Sequence, residues 1–192
     1  MIGKHWTWIR NWDCRKILLS FRGADRRREI FHRRRFLATL EMADDTMNFI
    51  LTKNDDWNAV AQAVARELEP GMILGLSGPL GAGKTTFVQY LAEELGAKSR
   101  PKSPTFTLVR EYPLEEKYSM IKRLIHVDAY RIDHPEDLLP LNLDEELAVP
   151  GTIVAIEWPE NAALWIERRN DRYREVKILV NEDQSREVNF AE

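Results

Sequence analysis

Gly78-Pro79-Leu80-Gly81-Ala82-Gly83-Lys84-Thr85-Thr86-Phe87 sets three glycines, a lysine and two threonines within ten residues. Before it, Met72-Ile73-Leu74-Gly75-Leu76-Ser77 is a short apolar run that reads as a buried strand. After it, Phe87, Val88, Leu91, Ala92 and Leu95 recur on one helix face, and Gly96 stands where that helix should stop. Strand, loop and helix in this order give Gly78-x-x-x-x-Gly83-Lys84-Thr85 the context of a phosphate-binding loop. The glycines let backbone N–H groups turn inward, and the helix behind them offers a partial positive charge to the same anion. Lys84 can carry a charge to β- and γ-phosphates, and the Thr85 hydroxyl can ligate a bridging Mg²⁺. A plain glycine-rich turn needs neither residue.

A nucleotide site also needs acids on the metal side. Leu124-Ile125-His126-Val127 is an apolar run ending in Asp128, and Thr152-Ile153-Val154-Ala155-Ile156 is another, closed by Glu157. An acid at the C-terminal end of a parallel strand faces the phosphate crevice. Asp128 fits the role of holding Mg²⁺ or a water bound to it. Glu157 would stand beside Asp128 if the two strands are neighbours, and would there ligate Mg²⁺ or orient the attacking water. The plainer alternative for either carboxylate is a helix cap or a surface acid. His126 reads as a packed or edge histidine rather than a ligand.

Between loop and acids, Lys102-Ser103-Pro104-Thr105-Phe106-Thr107 is a turn with hydroxyls, and Leu108 to Tyr112 alternates like a strand. Ser103 or Thr105 could sense a γ-phosphate; a Ser-Pro turn that merely starts a strand is the alternative. Upstream, Trp57, Val60, Ala61, Val64 and Leu68 mark a helix capped by Thr52 or Asn54 and ended by Pro70-Gly71. Downstream, Asp144-Glu145-Glu146 reads as a solvated helix start. Val176 to Val180 and Val188 to Phe190 read as antiparallel strands around Asn181-Glu182-Asp183.

The 192 residues suit one globular domain with an appendage, and a hydrophobic fraction of 44% supplies a single core. The one cysteine, Cys14, excludes a disulfide framework and a cysteine-based zinc site, and makes a reducing, cytoplasmic compartment the natural expectation. No apolar run is long enough to span a bilayer as a helix, so no membrane role is expected. The net charge of −3 conceals an asymmetry: residues 1–46 carry eleven Lys/Arg against six Asp/Glu, leaving −8 for residues 47–192. An RNA-binding basic arm and a targeting peptide are two readings of residues 1–46. The preferred one is a dispensable extension, disordered or loosely helical, with the natural start at Met42 or Met47 and the P-loop domain over 47–192.

Neither Asp-x-x-Gly nor Asn-Lys-x-Asp occurs, which argues against a small GTPase. A P-loop small-molecule kinase remains open, although no Arg-rich lid follows the second strand. A non-catalytic nucleotide-dependent scaffold is a third reading. The strings Gly78 to Phe87, Ser103-Pro104-Thr105-Phe106-Thr107-Leu108-Val109, His126-Val127-Asp128-Ala129-Tyr130-Arg131 and Ile156-Glu157-Trp158-Pro159-Glu160, in this order, resemble the TsaE family, also called YjeE. The resemblance covers about residues 49–190; Ala129 replaces the leucine usual in the family's Asp-Leu-Tyr-Arg, and residues 1–46 have no counterpart.

The resemblance implies a three-layer α/β P-loop NTPase domain, with antiparallel strands added to a mixed, mainly parallel central sheet. It implies a Mg²⁺-dependent ATPase acting with TsaD and TsaB in making N6-threonylcarbamoyladenosine at position 37 of tRNA, hydrolysing ATP to support turnover of that transferase. The tRNA is met only through the complex. Gly78, Pro79, Leu80, Gly81, Ala82, Gly83, Lys84, Thr85 and Thr86 are implied to hold the phosphates. Thr85 and Glu157 are implied to hold Mg²⁺, with Asp128 an essential acid near it. Thr105 is implied as the switch residue, Trp158 packs beside the site, and Asn54 marks the adenine side.

Overall fold

A computed structural model describes residues 40–43, 46–52, 56–98, 108–115 and 120–191. The expected N-terminal extension up to residue 39, Asn54, and the turn bearing Ser103 and Thr105 lie outside the described residues. In chain order the elements are β1 (Leu40–Ala43), β2 (Thr46–Leu51), α1 (Trp57–Glu67), β3 (Ile73–Ser77), α2 (Lys84–Glu94), β4 (Val109–Pro113), β5 (Arg123–Asp128), α3 (Leu143–Ala148), β6 (Thr152–Glu157), α4 (Ala163–Glu167), β7 (Tyr173–Val180) and β8 (Arg186–Ala191), with short 3₁₀ turns between.

The strands form one sheet in the order β1-β2-β8-β7-β3-β6-β5-β4. Its centre is parallel: β3 pairs with β6 and β7, and β5 with β6. The β4–β5, β7–β8, β2–β8 and β1–β2 pairs are antiparallel. The sequence patterns follow from coverage. The central β3, β5 and β6 are buried on both faces and read as unbroken apolar runs, whereas β7 and β8 bury alternate residues and show period two. On one face, Leu74, Leu76, Leu124, Ile153, Val176, Ile178 and Phe190 pack in one cluster with Trp57, Val60 and Val64 of α1 and Phe87, Val88 and Leu91 of α2. On the other, Ile73, Ile125, Val127, Val154 and Ile156 pack with Leu143 and Leu147 of α3 and Ile166 of α4. Helices, sheet and helices make three layers, the expected α/β architecture. No helix among the described residues is long and apolar enough to cross a membrane.

Two local features differ from the sequence reading. The N-cap of α1 is Asp56, not Thr52 or Asn54, and its side chain does not cap the helix. Instead its carboxylate accepts the Thr52 N–H at 2.9 Å. An ordered strand, β1, also lies ahead of the boundary read from composition, with Leu40 opposite Phe49 and Ala43 opposite Thr46. The stop at Gly96 is as expected: its N–H donates to Glu93 O at 3.1 Å and that of Ala97 to Ala92 O at 2.8 Å, the two bonds of a Schellman turn.

Candidate functional site

The glycine loop connects the end of β3 to the first residue of α2. Gly78 has φ +138°, and a Cβ there would lie 2.2 Å from the Ile178 carbonyl oxygen of β7. The loop folds back through an Ala82 N–H bond to Pro79 O, and the helix opens with Phe87 N–H donating to Gly83 O at 2.8 Å. Trp57 of α1 closes against the loop from behind, so near that a Cβ on Gly83 would be 2.7 Å from its ring.

Lys84 is only 5% exposed. Its Nζ donates to Gly78 O at 2.7 Å and Pro79 O at 3.0 Å, and lies 3.6 Å from the centroid of the Trp158 ring. Burial lowers its pKa, opposed by the negative charges of Glu157, Glu160 and Asp128. The loop therefore holds a partly desolvated cation that an incoming anion would further favour in its charged form.

The acids arrive from the adjacent strand ends. In the parallel β5–β6 register Asp128 is paired with Glu157, which meets the condition set by the sequence reading. Asp128 caps the 3₁₀ turn Ala129–Arg131, its Oδ1 accepting the Tyr130 N–H at 3.2 Å. The capping alternative thus holds for one oxygen of a carboxylate that also lines the cleft. Glu157 is 4% exposed. Its Oε1 accepts the Thr85 hydroxyl at 2.7 Å and lies 2.8 Å from His126 Nε2. Trp158 turns away from β6 with φ +61°, its N–H donating to Leu76 O at 3.2 Å, and packs on Tyr130 with centroids 5.2 Å apart. Asn161 Nδ2 donates to Ala129 O at 2.9 Å, tying together the turns that follow the two acids.

These parts enclose a cleft of about 340 Å³. Of the residues singled out from sequence, Leu80, Gly81, Gly83, Lys84, Thr85, Thr86, Asp128, Glu157 and Trp158 line it. Gly78 and Pro79 are tied to it through their carbonyl bonds from Lys84 Nζ, and Ala82 is wholly buried. Asn54 and Thr105 lie outside the described residues. Tyr130 and Arg131 also line the cleft and were not singled out as site residues; their place immediately after Asp128 was the available signal. His126 is packed, as expected, yet also touches Glu157. Its position two residues before Asp128 puts it on the same face of β5.

Thr85, Glu157 and Asp128 bring hydroxyl and carboxylate oxygens to one place, the donor set that suits Mg²⁺. Among the described residues no three His, Cys, Asp or Glu side chains form a cage of their own. The fit is therefore to an ion that completes its shell with water and phosphate oxygens.

Residues 51–188 match the family model for the threonylcarbamoyl adenosine biosynthesis protein TsaE. The chain is similar to the tRNA threonylcarbamoyladenosine biosynthesis protein TsaE of Aquifex aeolicus, with 36% identity over 67% of this chain and 92% of that protein. It is likewise 36% identical to the TsaE of Bacillus subtilis, over 71% of this chain and 80% of that one. Among solved structures, Bacillus subtilis YdiB superposes with a TM-score of 0.54 at 26% identity, covering 79% of this chain and 86% of the other. With the matched span holding the loop, both acids and the whole parallel centre of the sheet, the chain belongs to the TsaE family.

Proposed function

We propose that this protein is the ATPase of the machinery that makes N6-threonylcarbamoyladenosine at position 37 of tRNA, and that it hydrolyses ATP to support turnover of a TsaD–TsaB transferase. The observation that carries this is the junction of a buried, loop-bound Lys84 with the Thr85–Glu157 pair and Asp128 in one cleft, in a chain of the TsaE family.

The placement of the cleft residues supports the following roles. Backbone N–H groups of the Gly78–Thr86 loop, Pro79 having none and that of Ala82 bonding Pro79 O, receive the phosphates together with the start of α2. Lys84 exchanges its bonds to the Gly78 and Pro79 carbonyls for phosphate oxygens, while the Trp158 ring keeps water from one side of its ammonium. Thr85, Glu157 and Asp128 would hold Mg²⁺, which when bound neutralises charge on the β- and γ-phosphates. Glu157 orients a water for attack on the γ-phosphorus; the bond to the β-phosphate oxygen breaks, giving ADP and inorganic phosphate. Thr105 is assigned the switch that senses the γ-phosphate, and Asn54 the adenine side. Residues 47–192 carry a net charge of −8, which disfavours direct binding of a phosphate backbone, so tRNA is reached through TsaD and TsaB.

The test measures modified adenosine formed per TsaD over time, with wild type, with Lys84→Ala, or without this chain. Multiple-turnover yield is expected only with wild type. The isolated chain should hydrolyse ATP slowly, and TsaD with TsaB should raise the rate about tenfold or more, equivalent to lowering the barrier by about 1.4 kcal/mol. Equal yields in all three arms would refute the proposal. A phosphorylated small-molecule acceptor in place of free phosphate would instead identify a kinase.

A further inference from the structure

We propose that His126 is a positioning residue for Glu157: its Nε2–H holds Oε1 of that carboxylate, so that the work toward metal and water falls to the other oxygen. This rests on the ATPase reading above and adds to it a residue that does not touch the nucleotide.

The imidazole is wholly buried, with no exposed surface. It projects from β5 opposite Ala155 of β6, two residues back from the Asp128–Glu157 pair, and its ring lies beside that of Tyr112. Nε2 is 2.8 Å from Glu157 Oε1. An ionised carboxylate only accepts, so Nε2 must carry the hydrogen, and in the neutral ring Nδ1 is then a bare acceptor. Nδ1 is buried and has no hydrogen-bond partner among the described residues. The opposite tautomer would set a lone pair against the carboxylate and leave a buried donor unpaired, so the geometry selects Nε2–H.

The unpartnered nitrogen makes the functional reading stronger than a packing one. If His126 only filled space, an apolar side chain would fill it without burying an unsatisfied polar atom. The histidine is explained by what its other nitrogen does. Glu157 Oε1 also accepts the Thr85 hydroxyl, at 2.7 Å. When Thr85 turns to a cation, His126 remains as the donor that keeps the carboxylate in place. Buried partners that orient a metal-binding side chain commonly change metal affinity or activity by about 10–100-fold when removed.

The experiment uses the full chain, wild type, His126→Leu and His126→Gln. The glutamine amide can offer an N–H near the place of Nε2; leucine cannot. In ¹⁵N-labelled wild type the His126 ring should show the Nε2–H tautomer. With ADP bound, Mn²⁺ affinity measured by electron paramagnetic resonance should fall about tenfold or more in His126→Leu and be largely restored in His126→Gln. The kcat for ATP should follow the same order, while ADP affinity without metal stays within about twofold of wild type. An Nδ1–H tautomer, or wild-type Mn²⁺ affinity in His126→Leu, would overturn the proposal. So would a His126→Gln variant as impaired as His126→Leu at equal melting temperature. If His126→Leu does not fold, the wild-type tautomer and the His126→Gln variant decide. A wild type that binds Mn²⁺–ADP but never hydrolyses ATP would refute the ATPase reading and leave this one to the tautomer and the Mn²⁺ affinities.

Discussion

Gly78→Ala against Gly81→Ala separates the two demands that the loop makes on its glycines. Both residues have positive φ, +138° and +77°, but only Gly78 is crowded. A Cβ at Gly78 would stand 2.2 Å from Ile178 O, about 1.2 Å short of the 3.4 Å at which ordinary contact begins. That oxygen belongs to the backbone of β7, whose neighbour Lys177 is paired with Ser77 of β3, so it cannot retreat without disturbing the parallel ladder. A non-glycine residue forced into this backbone region costs about 1–3 kcal/mol, and the added methyl in a filled space about 1–3 kcal/mol more. At about 2–4 °C per kcal/mol for a chain of this size, a central value near 4 kcal/mol lowers Tm by about 8–16 °C. A Cβ at Gly81 meets nothing within 4 Å. That substitution carries only the left-handed backbone cost, about 1–2 kcal/mol, and lowers Tm by about 2–8 °C. Thermal melts followed by circular dichroism, checked by urea unfolding, give both values. Equal losses for the two variants, or a larger loss for Gly81→Ala, would refute the argument that the loop is pinned through Gly78 against β7.

Glu157→Ala should lower kcat more than it lowers nucleotide affinity, because the carboxylate is placed on the metal and water side of the cleft; steady-state kinetics beside ADP titration will show whether the two separate. Deleting residues 1–39 should leave Tm and nucleotide affinity unchanged, whereas deleting 1–45 also strips β1 from β2 and should cost about 1–3 kcal/mol at roughly 1 kcal/mol per lost ladder bond; a large drop with the shorter deletion would show that the first 39 residues support the fold. In the β7–β8 turn, Asp183 Oδ1 accepts both the Ser185 hydroxyl and its N–H, and these bonds lower the Asp183 pKa, the hydroxyl bond contributing most. A lowered carboxylate pKa stabilises the fold above the ordinary aspartate value and loses that contribution as pH falls through the folded one. The Tm gap between wild type and Asp183→Ala should therefore hold down to about pH 4 and close below it; a gap that widens in acid contradicts the assignment.

How much was legible in the sequence depended on whether a feature was local. The loop needed only ten consecutive residues and the two elements beside them. Asp128 and Glu157 stood out because each ends an apolar run, and a charged residue at such a place has few structural reasons to be there. The edge strand β1 gave no such signal: Leu40-Glu41-Met42-Ala43 is four residues with no clear alternation, and it becomes a strand because β2 offers an open edge. The α1 cap was misplaced for a related reason. Asp56 accepts the Thr52 N–H rather than capping the helix, so the preference of a capping residue is no guide to where α1 begins.

The least legible feature was the contact set of Glu157. Thr85 is 72 residues from it and His126 is 31, on a helix start and a strand that no local pattern links. What joins them is topology. Strands β3, β6 and β5 are adjacent and parallel, so their C-terminal ends share one edge of the sheet. The loop leaves the first, Glu157 ends the second and Asp128 ends the third. Once that order is known, period two along β5 places His126 on the face of Asp128, and the β5–β6 register sets it opposite Ala155, two residues before Glu157. A histidine two residues before a strand-end acid is then within reach of the acid on the next parallel strand. The chemistry of the site therefore depends on the β5–β6 register: a slip of one residue would turn His126 and Asp128 to the opposite face and leave Glu157 with Thr85 alone.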